Sequence, residues 1–270
     1  MPRKTLKNEI RLEGIGVHTG AKASVIIGPS GPGQGIVFLS EGVRIPASLD
    51  FVSSSDRRTD LSAQGRTVMT TEHILSALLG MGVDDATISV YGPEIPFFDG
   101  SALAIAEAIA ETGLTDGPGE PEVVAISEEV VLRVGETEFR VYPADSLEIA
   151  CRIKYDHPFI PEQEARFKMD PETYLREIAP ARTYIFYEEA EEILSRGLGK
   201  GGSLDCVLVI KKDGYMNQPR FPDEPVRHKI ADMIGDLALL GARLRMGLEA
   251  ERPGHGTNHA LARFIREKGG

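Results

Sequence analysis

The sequence predicts an α+β protein of two similar domains, each with a mainly antiparallel sheet and two helices. Three observations carry that expectation. Short strand-like runs separated by Gly/Pro/Ser turns open both halves of the chain, and each set is joined by two helical segments. Between the halves, Asp116-Gly117-Pro118-Gly119-Glu120-Pro121 holds two prolines and no apolar anchor. A Glu-rich helix, a glycine loop and a strand then interrupt the second half at about 186–210, a βαβ-like insertion. The expected domains are therefore 1–117 and 122–270, packing their helices against each other.

Taken in order, Gly14-Ile15-Gly16-Val17-His18-Thr19-Gly20 places three glycines in seven residues, a tight loop where backbone or ligand approaches closely. Strands are expected at 23–27, 36–39 and 43–47. A helix over 70–80 would take Thr70 or Thr71 as N-cap and Gly80 just past its end. A strand at 86–91 and an alanine-rich helix at 101–111 complete the first half. The second half offers strands at 123–126, 130–134, 138–142 and 147–153, then helices at 224–240 and 255–267. The insertion's strand is expected at 204–210.

The net charge of -11 argues against a nucleic-acid partner, because neutralising phosphates needs a basic face. Cys151 and Cys206 form neither a disulfide framework nor a metal spacing. No apolar run is long enough to span a membrane, and Met1-Pro2-Arg3-Lys4 leads into a polar segment. The expectation is a soluble, reduced, cytoplasmic monomer.

Chemistry concentrates on the segment 224–240. Ile230, Met233, Ile234, Leu237 and Leu240 share one arc of that helix, while His228, Asp232 and Asp236 share another at i, i+4 and i+8. Side chains at i and i+4 stand close enough to grip one small ion. His73 lies in the first turn of its helix, directly after Glu72, where the helix terminus favours an ionised carboxylate and a neutral imidazole. His73, His228 and Asp232 would supply two nitrogens and one oxygen, the plan of a catalytic zinc site with a position left for water. Asp236 would then accept the free N–H of a ligating histidine. His255 and His259, also i and i+4, form a competing ligand pair. The glycines around His255 instead suggest a presented turn, and Asp156-His157-Pro158 reads as a turn alone. Gly197-Leu198-Gly199-Lys200-Gly201-Gly202 matches G-x-G-x-x-G, but it follows a helix and opens a strand, the reverse of a dinucleotide-binding turn.

Together these segments resemble the zinc-dependent UDP-3-O-acyl-N-acetylglucosamine deacetylases of lipid A biosynthesis, nearly end to end. The resemblance rests on the loop 14–20, Thr59-Asp60-Leu61, Glu72-His73-Ile74-Leu75-Ser76-Ala77-Leu78, Glu94-Ile95-Pro96 and Asp99-Gly100-Ser101. It continues through Ala181-Arg182-Thr183, the insertion's glycines, Pro225-Val226-Arg227-His228-Lys229, Ile234-Gly235-Asp236-Leu237 and Gly254-His255. It implies helices sandwiched between two sheets, and one catalytic Zn²⁺ held by His73, His228 and Asp232. Glu72 is implied as general base and His255 as the group serving the leaving amine. Thr183 is implied at the oxyanion, and Asp236 as the aspartate orienting His255 or a ligand. Lys229, His18, Tyr184 and Phe186 fall to substrate binding, and the insertion to enclosing the acyl chain. His259 has no role in the resemblance. The rival readings are a zinc amidase acting on another acylated amino-sugar, and a UDP-sugar-binding protein without catalysis.

Overall fold

The computed structural model describes residues 2–268. Its helices are α1 (Glu72–Gly80), α2 (Leu103–Thr112), α3 (Pro171–Thr173, running into a π turn), α4 (Ala190–Ser195), α5 (Glu224–Leu237) and α6 (His255–Lys268). Among the described residues, no helix is long and apolar enough to cross a membrane.

Two large sheets repeat one topology. In the first, the strand Ala86–Tyr91 is central, with the hairpin Ile10–Ile15/Lys22–Pro29 antiparallel on one side. The hairpin Ile36–Ser40/Val43–Pro46 lies on the other side, joined to the central strand in parallel. In the second, Arg243–Glu251 is central between Val130–Val134/Thr137–Pro143, antiparallel, and Glu148–Lys154/Glu162–Lys168, parallel. In each half one helix precedes the central strand and one follows it, α1 and α2 in the first and α5 and α6 in the second. The expected pair of similar α+β units is thus present in the strand order itself. Tyr184–Phe186 and Leu208–Lys211 pair in parallel around α4, so the insertion is a βαβ unit, its second strand beginning later than Leu204.

Each sheet turns one face inward. Ala86, Ile88 and Val90 alternate buried along one central strand, and Leu244, Met246, Leu248 and Ala250 along the other. They pack with the helices into one continuous apolar core. On α5, Ile230, Met233, Ile234 and Leu237 are fully buried; the helix ends at Leu237, short of the expected 240, and Leu240, in the 3₁₀ turn that follows, is only partly buried. Each buried chain contributes about 1.5–3 kcal/mol, offsetting the cost of taking His228, Asp232 and Asp236 out of water on the opposite face.

Several local expectations need correction. Thr71 makes no capping bond to α1; its hydroxyl donates to the Thr59 carbonyl oxygen at 2.9 Å, and Gly80 is the last helical residue. The expected linker begins later, because Leu114–Gly117 pairs with Arg3–Leu6 as a strand. His255 opens α6, where the last helix was expected to start, so the helix and not a free turn holds it. The central strand Arg243–Glu251 was absent from the sequence reading, although its alternation was there to be read.

The closest crossing of the two halves is α1 on α5, and Gly235 permits it. A Cβ at Gly235 would overlap the Glu72 carbonyl group. Helix propensity favours alanine by about 1 kcal/mol. Overlap with rigid backbone costs about 3 kcal/mol and outweighs it. Gly235→Ala should therefore part α1 from α5 and lower Tm by several degrees. An unchanged melting curve would show that the crossing has slack.

Candidate metal centre and active site

The α1/α5 crossing brings His73, His228 and Asp232 together. One ligand-type atom from each lies within 4.8 Å of the others, and all three residues are buried. This is the sole such group among the described residues, so His255 and His259 do not form a competing one. The donor set fits a zinc ion in both atom type and proton placement. His228 Nδ1 sits 3.0 Å from the Ala181 carbonyl oxygen, to which it donates, and its Nε2 lies 3.2 Å from Asp232 Oδ1. Burial, then the neighbouring His228, lowers the His73 pKa to about 3, which keeps its imidazole in the neutral, ligating form. Asp232 is held well below the carboxylate range: burial opposes its charge, but His228 and Lys229 outweigh that.

Around this cluster stand the titrating groups. Burial pushes the Glu72 carboxyl up to about 8, partly countered by His255 and by the Thr59 N–H that donates to Oε2 at 2.9 Å. For His255, burial disfavours the imidazolium, yet Asp236 and Asp232 prevail and raise it to about 9. Asp236 Oδ2 accepts from His255 Nδ1 at 2.9 Å. Asp236 therefore pairs with His255; His228 Nδ1 takes the Ala181 main-chain carbonyl instead.

The remaining sequence candidates make contacts of their own. Thr183 belongs to the segment that supplies the Ala181 carbonyl, and its N–H donates to the Gly100 carbonyl at 2.8 Å. Lys229 Nζ donates to Asp232 Oδ2 at 2.9 Å and lies 5.7 Å from the centre of the Tyr184 ring. Tyr184 shares a hydrogen bond with Tyr155, and Phe186 packs against Tyr155 and His157. His18 is held apart from the metal cluster's own contacts: its N–H donates to Glu94, and its carbonyl accepts from Lys200 of the insertion at 3.4 Å.

Several residues that hold the site were missed. Arg182 and Glu224, both buried, pair at 2.9 Å and fasten the 181–183 segment to the start of α5. A carboxylate in the first turn of a helix was the available signal. Thr59 donates its hydroxyl to Asp236 Oδ1 at 2.6 Å, a contact spanning most of the chain with no local trace. The glycine loop of the insertion lies against the first glycine loop, with Gly201 N–H donating to the Val17 carbonyl at 2.9 Å. A side chain at Gly201 would meet the Gly16 carbonyl oxygen, so these glycines serve backbone packing.

A family model described as UDP-3-O-acyl N-acetylglycosamine deacetylase matches residues 3–267. The chain belongs to that family. It is 36% identical over 269 residues to the UDP-3-O-acyl-N-acetylglucosamine deacetylase of Myxococcus xanthus, covering 97% of this chain and 86% of the relative. The corresponding protein of Syntrophotalea carbinolica is 38% identical over 269 residues, covering 97% and 87%. That of Chlamydia caviae is 36% identical over 271 residues, covering 98% and 97%.

Proposed function

We propose that this chain hydrolyses the N-acetyl group of a UDP-linked, 3-O-acylated N-acetylglucosamine, releasing acetate and a free amine as an early step of lipid A biosynthesis. The observation that carries the reading is the cluster of His73, His228 and Asp232 with Glu72 beside it, in a chain that matches a deacetylase family from end to end. We take 1–117 and 122–270 as the domains, since every described β ladder stays on one side of that division. His73 then comes from one domain and its co-ligands from the other.

An amide is a poor electrophile and its amine a poor leaving group. A zinc ion held by the three ligands would lower the pKa of a bound water from about 15.7 toward 7 and polarise the acetyl carbonyl. Glu72, lifted by burial, is a stronger base than an ordinary carboxylate and accepts the proton of the attacking water. The Thr183 hydroxyl donates to the oxygen that becomes negative, a contribution of roughly 3–4 kcal/mol in comparable sites. His255, kept as imidazolium by Asp236 and Asp232, gives its proton to the departing nitrogen. Lys229 holds Asp232 Oδ2, leaving Oδ1 toward the two histidines.

The insertion supports an acylated substrate. Tyr184 and Phe186 lead from the site into it, and the residues flanking α4 are tied to the first domain by Arg196–Asp56 and Arg57–Glu189. Contacts to a remote acyl chain orient the acetamide for attack. A substrate without the 3-O-acyl chain should lose at least about 100-fold in kcat/KM, on the scale of misplaced reactants. Acetate release measured on both sugars tests this; equal kcat/KM would favour the amidase reading with a different substrate. Acetate release from neither sugar by the zinc-loaded protein would leave the UDP-sugar-binding reading.

A further inference from the structure

His259 takes no part in the chemistry above, yet it is 1% exposed and fully engaged. Its Nε2 lies 3.2 Å from Asp236 Oδ1 and 3.1 Å from Thr59 Oγ1, and its Nδ1 lies 2.8 Å from Ser55 Oγ. An ionised carboxylate only accepts, so Nε2 carries a proton in either charge state of the ring. Asp236 is ionised: burial opposes its charge, but His255 and the donors around it hold the carboxyl well below its usual range. Four donors therefore converge on it. Thr59 Oγ1 at 2.6 Å and His259 Nε2 at 3.2 Å fill Oδ1. His255 Nδ1 at 2.9 Å and Asn258 Nδ2 at 2.8 Å fill Oδ2. A carboxylate offers about four lone-pair positions, and here all are taken.

From this arrangement we infer that His259, seated by Ser55, is a positioning residue for the deacetylation: it pins Asp236 so that Oδ2 stays on His255 Nδ1. The inference rests on the reading of His255 as the group serving the amine. His259 is screened from substrate by Asp236 and by its own burial, so it acts only through those two residues. The same atoms trace a route from the partly exposed Ser55 to His255, but proton flow along it requires a protonated Asp236. Four donors on an ionised carboxylate oppose that, as does the role of the aspartate in comparable Ser-His-Asp sites. What the network supplies is orientation. Asp236 extends from α5 on a short side chain whose carboxylate can swing, and a swing would release the ring of His255. Thr59 alone on Oδ1 would leave that swing open.

The test uses the full-length, zinc-loaded protein. His259→Leu removes the donor, and His259→Gln returns an amide N–H at similar reach. The leucine variant should lose about 10–100-fold in kcat, the range for removed outer-shell partners, with KM and zinc content unchanged. The glutamine variant should recover most of that loss. A second readout needs no turnover: the downfield proton signal of His255 Nδ1–H bonded to Asp236 should persist in wild type and His259→Gln and vanish in His259→Leu. If His259→Leu does not fold, Ser55→Ala, at a partly exposed position, carries the test and should lower kcat with KM unchanged and broaden the same signal. Equal kcat in the leucine and glutamine variants, or an unaltered signal in the leucine or Ser55→Ala protein, overturns the inference. Wild type without acetate release would instead overturn the proposed function, while the proton signal would still judge the pinning of Asp236.

Discussion

His228→Ala should abolish zinc binding and deacetylation together. Structural zinc sites of four ligands are worth roughly 10–16 kcal/mol, so one ligand stands for about 3 kcal/mol, more than a hundredfold in affinity. Metal analysis after gel filtration, beside an acetate-release assay, reads both effects. The fold should survive, since the apolar arc of α5 is on the other face. A variant that kept one zinc per chain would mean that the ligand set is wrong.

Glu72→Ala should have the next largest effect and the opposite metal outcome. Losing a general base typically lowers kcat by about 10²–10⁴. Zinc should remain bound, because Glu72 is held by the Thr59 N–H and is not one of the three ligands. The pH dependence follows from the signs of the two shifts. Glu72 must be ionised, so the wild-type rate rises with pH through a carboxyl that burial places near 8 and that a bound dication draws lower. His255 must be protonated, so the rate falls as pH passes about 9. Wild type should give a bell whose limbs are macroscopic constants of the coupled groups. The Glu72 variant should lose the acidic limb and keep the alkaline one. Loss of zinc from Glu72→Ala would place Glu72 in the ligand set and remove it from the role of base.

Family, fold class and the grouping of His73, His228 and Asp232 are legible in the sequence, and for a local reason. Helix geometry sets His228 and Asp232 on one face at i and i+4 whatever else the chain does, and period-two and glycine patterns mark strands and loops. Where the reading failed, a nonlocal partner had decided the matter. Thr71 looked like an N-cap, but its hydroxyl went to the Thr59 carbonyl. The linker looked free, but its first residues pair with Arg3–Leu6. The dinucleotide-like glycines, by contrast, are excluded by their helix-to-strand context alone, and they pack against Gly16 and Val17.

The sequence by itself determined the types of residue present: two imidazoles and a carboxylate able to hold a metal ion, a glutamate next to one of them, and a Glu-rich insertion with a glycine loop. Tertiary structure alone decided how they combine. His73 reaches His228 and Asp232 because Gly235 lets α1 lie on α5 with backbone touching backbone. Asp236 serves His255 and His259, and not a metal ligand, because α6 and Thr59 crowd its carboxylate with four donors. The physical reason is separation along the chain. Spacing within one helix is set by its own covalent geometry, whereas a contact between Thr59 and Asp236 exists only once the core has closed around both.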